Sequence, residues 1–286
     1  MQIELYQPRP ELRQYVRIFW RASGVGSPAD ESQCIPPDGC MELVLNFGDR
    51  VAGIGAGEIA TLQPRIMLVG AVSRPSHVHP LGLVDIVGAR FAPAGVRAFV
   101  DPPASELVDD TFAVEQVVGR SLARDLEAIV GACPPDDRIA RIQDALVEKL
   151  KRNRHHDPLV SRLVEVMDHA GGKVSIEGLA SRTSLTRRQL ERRFLSAVGQ
   201  SPKALAQVFR FQRVLAHLTA EQPSCGASLA ADCGYYDQAH LIRDFKRFAG
   251  KTPRAFLRRD QAFGDLFLPG PEDGAGSVSS MSIGEQ

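Results

Sequence analysis

The sequence has few cysteines, few aromatic residues, no net charge and no long apolar run. Its 286 residues include five cysteines, which form no Cys-x-x-Cys pair, and 6% aromatic residues. An odd cysteine count without such a pair is typical of free thiols in a reduced compartment. No window approaches the roughly 18 apolar residues of a membrane span, and no basic segment followed by an apolar run marks a signal peptide. We therefore expect a cytoplasmic protein without a membrane partner.

The sequence also contains no recognisable catalytic motif. No Gly-rich phosphate loop and no Ser/His/Asp order is present. His77 and His79 have strand spacing, but a third metal ligand at a recognisable spacing is missing. Asp38 and Glu42 are interpreted as solvent-exposed carboxylates, and Cys40 as a buried structural thiol. We therefore predict no enzyme activity, no metal and no cofactor.

The zero net charge is the sum of two unequal parts. Residues 156–260 contain seventeen Lys or Arg and ten Asp or Glu, so this segment carries +7 and the remaining residues carry −7. A basic segment in a neutral protein is the electrostatic pattern expected for contact with phosphates. The charge distribution therefore predicts a nucleic-acid partner for this segment.

The basic segment contains one pattern twice. LASRTSLTRRQLERRFLSAVGQSP, residues 179–202, is followed by LAADCGYYDQAHLIRDFKRFAGKTP, residues 229–253. Each copy predicts a short helix, a turn that ends at a capping residue, Thr186 or Asp237, and a longer helix. The longer helices have apolar stripes at helical spacing, which are Leu190, Phe194 and Val198 in the first copy and Leu241, Phe245 and Phe248 in the second. This arrangement is typical of a helix-turn-helix unit.

These motifs resemble the AraC/XylS family of bacterial transcription regulators. The resemblance rests on GYYDQAHLIRDFKRFAGKTPRAF and LTRRQLERRFLSAVGQSP, and it covers about a hundred residues from near Pro158 to Arg259. It implies two helix-turn-helix units joined by a linker helix from Pro202 to about Glu221. The outward helices, near residues 186–198 and 237–249, would enter successive major grooves of DNA. The stretches PDGCMELVLNFGD and FAPAGVRAF resemble the N-terminal domain of one AraC-type subgroup, which implies a sensory or regulatory domain whose effector is undefined.

The resemblance also places the base-reading positions. They fall on Arg188, Glu191 and Arg192 in the first unit and on Gln238, Ala239, Ile242 and Arg243 in the second. Arg side chains pair with guanine, Gln with adenine and Glu with cytosine, while an aliphatic side chain contacts the thymine methyl group. Because Ala239 cannot form a hydrogen bond with a base edge, we expect the second helix to read less sequence than the first.

Further basic residues complete the predicted DNA-binding set. Arg187 lies on the same outward face as Arg188. Contacts with phosphates, which set the register without reading sequence, are predicted for Lys246, Arg247, Arg254, Arg258 and Arg259.

We predict an α+β protein with two domains and a tail. Residues 1–153 form an N-terminal regulatory or sensory domain of mixed strands and helices. Residues 154–260 form an all-α DNA-binding domain with two helix-turn-helix units joined by a linker helix. Residues 261–286, rich in Gly and Ser and without an apolar stripe, are expected to be disordered.

Within the N-terminal domain, alternation and turn signals predict the elements. We expect a strand at IELY, a helix at residues 11–22, a polar loop at 23–33, strands near 41–49, 65–72 and 83–91, and helices between 104 and 155. The stripe formed by Ile139, Ile142, Leu146 and Leu150 has near-heptad spacing. It packs either in a dimer or on the sheet of its own chain, and the sequence favours neither.

The predicted function is that of a sequence-specific transcription regulator that binds double-stranded DNA. An unknown small-molecule effector, RNA polymerase and a second copy of the chain, held through the N-terminal half, are further candidate partners. Two other classes remain as alternatives. One is a DNA-associated enzyme that accepts an alkyl group on Cys34 or Cys40, and the other is a helical protein-interaction module.

Overall fold

The structure, a computed structural model, describes most of the chain. The described residues are 1–26, 33–50, 52–54, 60–79, 82–152, 155–219, 227–256 and 280–282. No helix within these ranges is long and apolar enough to cross a membrane.

The N-terminal domain contains two antiparallel sheets. Its strands are β1 (Gln2–Tyr6), β2 (Val16–Gly26), β3 (Gln33–Ile35), β4 (Glu42–Asn46), β5 (Ala52–Ile54), β6 (Ala60–Leu62), β7 (Ile66–Val69), β8 (Ser76–His79), β9 (Gly82–Phe91) and β10 (Thr111–Ala113). The larger sheet has the order β10-β7-β4-β9-β2-β1 and continues at its β1 edge with β11 (Ser280–Ser282), while the smaller has the order β3-β8-β5-β6. The strands predicted at IELY and near residues 41–49, 65–72 and 83–91 are confirmed as β1, β4, β7 and β9.

The prediction of a helix over residues 11–22 is wrong. The predicted polar loop at residues 23–33 is wrong at 23–26, which belong to β2, and at 33, which begins β3, while 27–32 lie outside the described residues. A short 3-10 helix, Pro10–Leu12, is followed by the long strand β2, which pairs with β1 on one side and β9 on the other. A β-bulge between Val16 and Ile18 places Val16 and Phe19, three residues apart, in the same core. This spacing is the one expected for the buried face of a helix. Both faces of β2 are covered, so the adjacent residues Phe19 and Trp20 are both buried, in different cores. The period of the sequence is therefore ambiguous.

The interpretation of Asp38 and Glu42 as solvent-exposed carboxylates is also wrong. Their side chains are only 14% and 12% exposed, and both face Arg90, whose Nε lies 3.5 Å from Asp38 Oδ2 and 2.7 Å from Glu42 Oε1. Glu42 on β4 is directly opposite Arg90 on β9. This cross-strand ion pair is formed by residues 48 positions apart, so spacing along the chain does not indicate it.

Helices cover one face of the larger sheet. They are α1 (Val114–Val117), α2 (Arg120–Ala132) and α3 (Arg138–Leu150). Leu126 on α2 and Leu146 on α3 share one buried core with Leu45 and Phe91 of the sheet. Of the two alternatives for the near-heptad stripe of α3, the structure shows packing on the sheet of its own chain rather than a dimer contact.

The C-terminal domain is all-α within the described residues. Its helices are α4 (Pro158–His169), α5 (Ile176–Ser181), α6 (Arg187–Val198), α7 (Pro202–Thr219), α8 (Ala227–Asp232), α9 (Gln238–Ala249) and α10 (Pro253–Phe256). The linker helix α7 contributes Leu205 and Phe209 to the core of the first unit, and Phe211 and Leu215 to the core of the second. One helix thus supports both units, and the predicted α+β class with a linker helix is confirmed.

Most of the predicted tail lies outside the described residues. The exception is β11, whose three residues pair antiparallel with Gln2–Glu4 of β1.

Candidate nucleic-acid interface

The first helix-turn-helix unit consists of α5, a turn and α6. The Thr186 hydroxyl accepts a hydrogen bond from the Gln189 amide at 3.3 Å, and the Gln189 side chain accepts one from the Thr186 amide at 2.9 Å. This is the predicted capping box, which satisfies two backbone donors at the start of the helix. Gly199, at φ +82°, ends the helix in the left-handed conformation that glycine adopts without strain.

The second unit repeats this construction with α8 and α9. The carboxylate of Asp237 accepts a hydrogen bond from the His240 amide at 2.7 Å. Gly234, at φ +77°, forms the turn, and Gly250, at φ +72°, ends α9. Gly250 therefore matches Gly199 in conformation as well as in sequence.

The capping box gives a prediction about the stability of the first unit. Thr186→Ala leaves the Gln189 amide without its side-chain acceptor, and we expect it to lower the free energy of unfolding by about 1 kcal/mol. Urea unfolding followed by far-ultraviolet circular dichroism measures this loss. Thr186→Ser keeps the hydroxyl and should retain most of the stability. Equal losses in both variants would show that the hydroxyl does not stabilise the helix start.

The predicted DNA-binding side chains lie on the outer faces of α6 and α9. The exposed ones are Arg187, Arg188, Arg192, Gln238, Ala239, Ile242, Arg243, Lys246 and Arg247, and Glu191 is half-buried. The apolar stripes point the other way, since Phe194 and Phe245 belong to the two buried cores. Arg254 at α10 is exposed as well, whereas Arg258 and Arg259 lie outside the described residues.

Arg187 forms a small ion-pair network on the surface. Its Nε lies 3.1 Å from Glu191 Oε1, and its Nη1 lies 3.2 Å from Glu177 Oε1. The pKa of Glu177 is lowered mainly because its carboxylate accepts a hydrogen bond from the backbone amide of Glu177 itself. A hydrogen bond from the Ser175 side chain and the positive charge of Arg187 lower this pKa further. Ion pairs this exposed contribute little to stability, so DNA can compete for Arg187 and Glu191.

Arg193, on the inner side of α6, anchors this helix to α4. Its guanidinium donates two hydrogen bonds to Asp157, at 2.7 and 2.6 Å, and Asp157 also caps α4 by accepting bonds from the amides of Leu159 and Val160. Burial opposes ionisation of Asp157, but these hydrogen bonds outweigh it and hold the pKa of this carboxyl below its usual value. The orientation of α6 is therefore fixed by a charged pair that was not predicted from the sequence.

A polar cluster holds α9 against α7. Asp244 is buried and lies 3.6 Å from His240 Nε2, and the His240 ring packs edge-on against Tyr235 at 5.2 Å. The guanidinium of Arg210, on α7, lies 5.8 Å from the centre of the Tyr235 ring. Burial is the main reason that the pKa of Tyr235 is raised. Asp244 thus belongs to the inner side of α9, although it stands between residues of the outer face in the sequence.

Tyr236 is a residue of this surface that was not predicted from the sequence. Its side chain is 95% exposed in the turn that precedes α9, next to the predicted contact Gln238. The consecutive tyrosines of the turn could have indicated an exposed aromatic residue, because only Tyr235 is part of the buried core.

The two parts of the chain match different family models. Residues 179–259 match a model described as a helix-turn-helix domain, and residues 4–113 match one described as a domain of unknown function. No curated protein matches the chain.

Several solved structures are similar to the chain. The DNA-binding domain of AdpA, a global transcriptional factor solved in complex with a target DNA, is 26% identical, with 36% of this chain and 91% of that one covered and a TM-score of 0.32. ToxT from Vibrio cholerae is 10% identical, with 87% and 99% covered and a TM-score of 0.47. The AraC-like transcriptional activator CuxR is 15% identical, with 71% and 74% covered and a TM-score of 0.24.

The family match and the local construction agree. Residues 179–259 include the turn and long helix of both units, the caps at Thr186 and Asp237 and the linker helix between the units. The chain therefore carries, in residues 179–259, a helix-turn-helix domain of the AraC type, the DNA-binding domain of transcription regulators of that type.

Proposed function

We propose that the protein reads two successive major grooves of duplex DNA, with α6 in one groove and α9 in the next, and that its N-terminal domain controls this binding. The observation that carries the proposal is the repeated basic outer face. The same helix of each unit exposes it, and both units are built on one linker helix. An exposed face of this kind on a single helix is common, whereas its repetition behind the same turn is not expected of a merely solvated surface.

Each exposed side chain suits one base. Arg188, Arg192 and Arg243 can donate two hydrogen bonds to guanine, and Gln238 can pair with adenine. Ile242, which is 37% exposed, can contact a thymine methyl group. Glu191 can accept a bond from cytosine once Arg187 turns to the phosphates.

The linker helix has a length that suits this reading. Its 18 residues give an axis of about 27 Å at a rise of about 1.5 Å per residue. Neighbouring major grooves on one face of B-DNA are about 34 Å apart, and the helices that read them are themselves about 10 Å wide. The axis of the linker and the width of one reading helix together span this distance, so the linker is long enough to separate α6 and α9 by one turn of DNA.

The N-terminal domain is the proposed control element, through a small-molecule effector or through dimerisation. Its two sheets enclose an apolar layer that includes Trp20, Val44, Met67 and Val84. RNA polymerase is a further proposed partner, as expected for a transcription regulator.

The arrangement of the cysteines disfavours the alkyl-acceptor alternative. Burial raises the pKa of both Cys34 and Cys40, while the nearby cations lower it less. A thiol must be ionised to attack, so neither cysteine is activated as an acceptor. An unchanged thiol count after exposure to alkylated DNA would remove this alternative.

Binding is expected to depend steeply on salt. If the five predicted phosphate contacts form, log K should fall with a slope of about −4.5 against log salt, or about 500-fold between 50 and 200 mM. Fluorescence anisotropy with labelled duplex DNA measures the slope. Lys246→Gln should reduce it by about one, and Lys203→Gln, an exposed lysine on the linker helix, should leave it unchanged.

The decisive experiment is selection of genomic DNA fragments by the purified full chain, followed by footprinting. We expect a protected stretch of about two helical turns per protomer, with contacts on one face of the duplex. Selection with and without a panel of small metabolites tests the control by the N-terminal domain. Protection of a single turn would contradict tandem reading, and no enrichment under any condition would contradict DNA reading altogether.

A further inference from the structure

The turn formed by residues 36–40 lies between the N-terminal sheet and the linker helix. The side chain of Gln212, on α7, donates a hydrogen bond from Nε2 to the carbonyl oxygen of Pro37 at 2.6 Å, and this bond is buried. Gly39, at φ +80°, lies against the same helix, because a Cβ there would be 2.7 Å from Leu205 Cδ1 and 3.8 Å from Val208 Cγ1. Leu205, Val208 and Gln212 are spaced as one face of α7, so this face is covered by the turn.

The same turn is fastened to the sheet on its other side. Asp38 accepts a hydrogen bond from the Cys40 amide at 2.8 Å, which fixes the shape of the turn. Asp38 also faces Arg90, which pairs with Glu42 across β4 and β9. A continuous series of polar contacts therefore runs from the central strands, through the turn, to the linker helix.

The N-terminal domain also touches the ends of both reading helices. A Cβ on Gly199, which ends α6, would lie 2.6 Å from the carbonyl oxygen of Ala104 and 2.6 Å from Val108 Cγ2. A Cβ on Gly250, which ends α9, would lie 3.6 Å from Pro75 Cγ. These contacts are at the C-terminal ends, so they leave the outer faces of α6 and α9 open to DNA.

We propose that the turn at residues 36–40 is a coupling element, which transmits the state of the N-terminal sheet to the linker helix and so fixes how α6 and α9 stand relative to each other. The inference deepens the proposed function, since it rests on reading by both helices. A contact that holds two binding units in their productive arrangement raises affinity by lowering the ordering cost of binding. Release of the turn should therefore weaken DNA binding, although no residue of the turn is among the proposed DNA contacts.

Two substitutions interrupt the series at different points. Asp38→Asn keeps an acceptor for the Cys40 amide but removes the charge that faces Arg90. Gln212→Met keeps the length of the side chain but removes the donor to Pro37. Gln207→Met is the matched control, because it makes the same change on the same helix at a residue outside the covered face.

The first readout does not depend on DNA. Hydrogen exchange of the full chain, followed by mass spectrometry, should show faster exchange in residues 208–214 of α7 for Asp38→Asn and Gln212→Met, but not for Gln207→Met. Asp38 contacts Arg90 and the Cys40 amide, so an effect of its substitution on α7 reports coupling through the turn. Unchanged exchange in α7 for Asp38→Asn would overturn the proposal, even if Gln212→Met failed to fold.

The second readout is affinity for a DNA fragment selected by the wild-type chain. Asp38→Asn and Gln212→Met should each weaken binding by about three- to tenfold, and the double variant should bind no worse than Gln212→Met alone. Effects that multiply in the double variant, or variants that bind more tightly than wild type, would overturn the proposal. If the wild-type chain binds no fragment, the proposed function fails, while the exchange experiment still decides the coupling.

Discussion

Replacement of Arg188, Arg192 and Arg243 by Ala should abolish sequence-specific DNA binding and leave the fold intact. Each of these exposed side chains is proposed to read a guanine, and loss of one bidentate contact costs about 1–3 kcal/mol. A single substitution should therefore lower the affinity for a selected fragment by about five- to 150-fold, and the triple variant by about a hundredfold or more. Competition between specific and scrambled duplexes at fixed salt measures both affinities.

Two controls separate base reading from charge. Arg162→Ala removes one exposed positive charge from α4, outside both units, and should change the affinity by much less. Arg188→Lys keeps the charge but loses the planar fork, so it should lose specificity while it retains binding to scrambled DNA. If the three alanine variants bind like wild type, these residues do not form the reading surface.

Replacement of Phe245 by Ala should destabilise the second unit by about 3–5 kcal/mol. Phe245 is 1% exposed, and the centre of its ring lies 5.3 Å from the centre of the Phe211 ring and 5.5 Å from that of the Phe256 ring. Its loss leaves a cavity where α7, α9 and α10 meet. Phe194→Ala should have a similar effect on the first unit, since Phe194 is fully buried in the other core. Urea unfolding measures both losses.

Ile242→Ala is the matched control on α9. Ile242 is an apolar residue of the same helix but lies on the outer face, so we expect a change in stability within about 0.5 kcal/mol and a loss of affinity at one base pair. The footprint should separate the units, because Phe245→Ala should remove protection from one helical turn and Phe194→Ala from the other. A large loss of stability in Ile242→Ala would show that the inner and outer faces of α9 are assigned wrongly.

Local sequence signals are sufficient to predict the helices of the C-terminal domain. The capping box of Thr186 and Gln189, the cap at Asp237, the buried stripes and the glycines that end α6 and α9 are all local signals. Each depends on residues within about four positions, where helix geometry fixes which side chains meet. The N-terminal strands β4, β7 and β9 were predicted for the same reason, since alternation is also local.

The contacts between residues far apart in the chain could not be predicted in this way. The prediction of a helix at β2 is wrong because the pairing with β1 and β9, the bulge after Val16 and the cores on the two faces of the strand all depend on residues distant in the chain. Asp38 and Glu42 are mostly shielded from solvent because β9 brings Arg90 opposite Glu42, and the Arg193–Asp157 anchor joins residues 36 positions apart. The hydrogen bond from Gln212 to Pro37 joins residues 175 positions apart and packs the linker helix α7 against the N-terminal domain. Such contacts depend on the packing of whole elements, and the spacing of residues along the chain does not encode them.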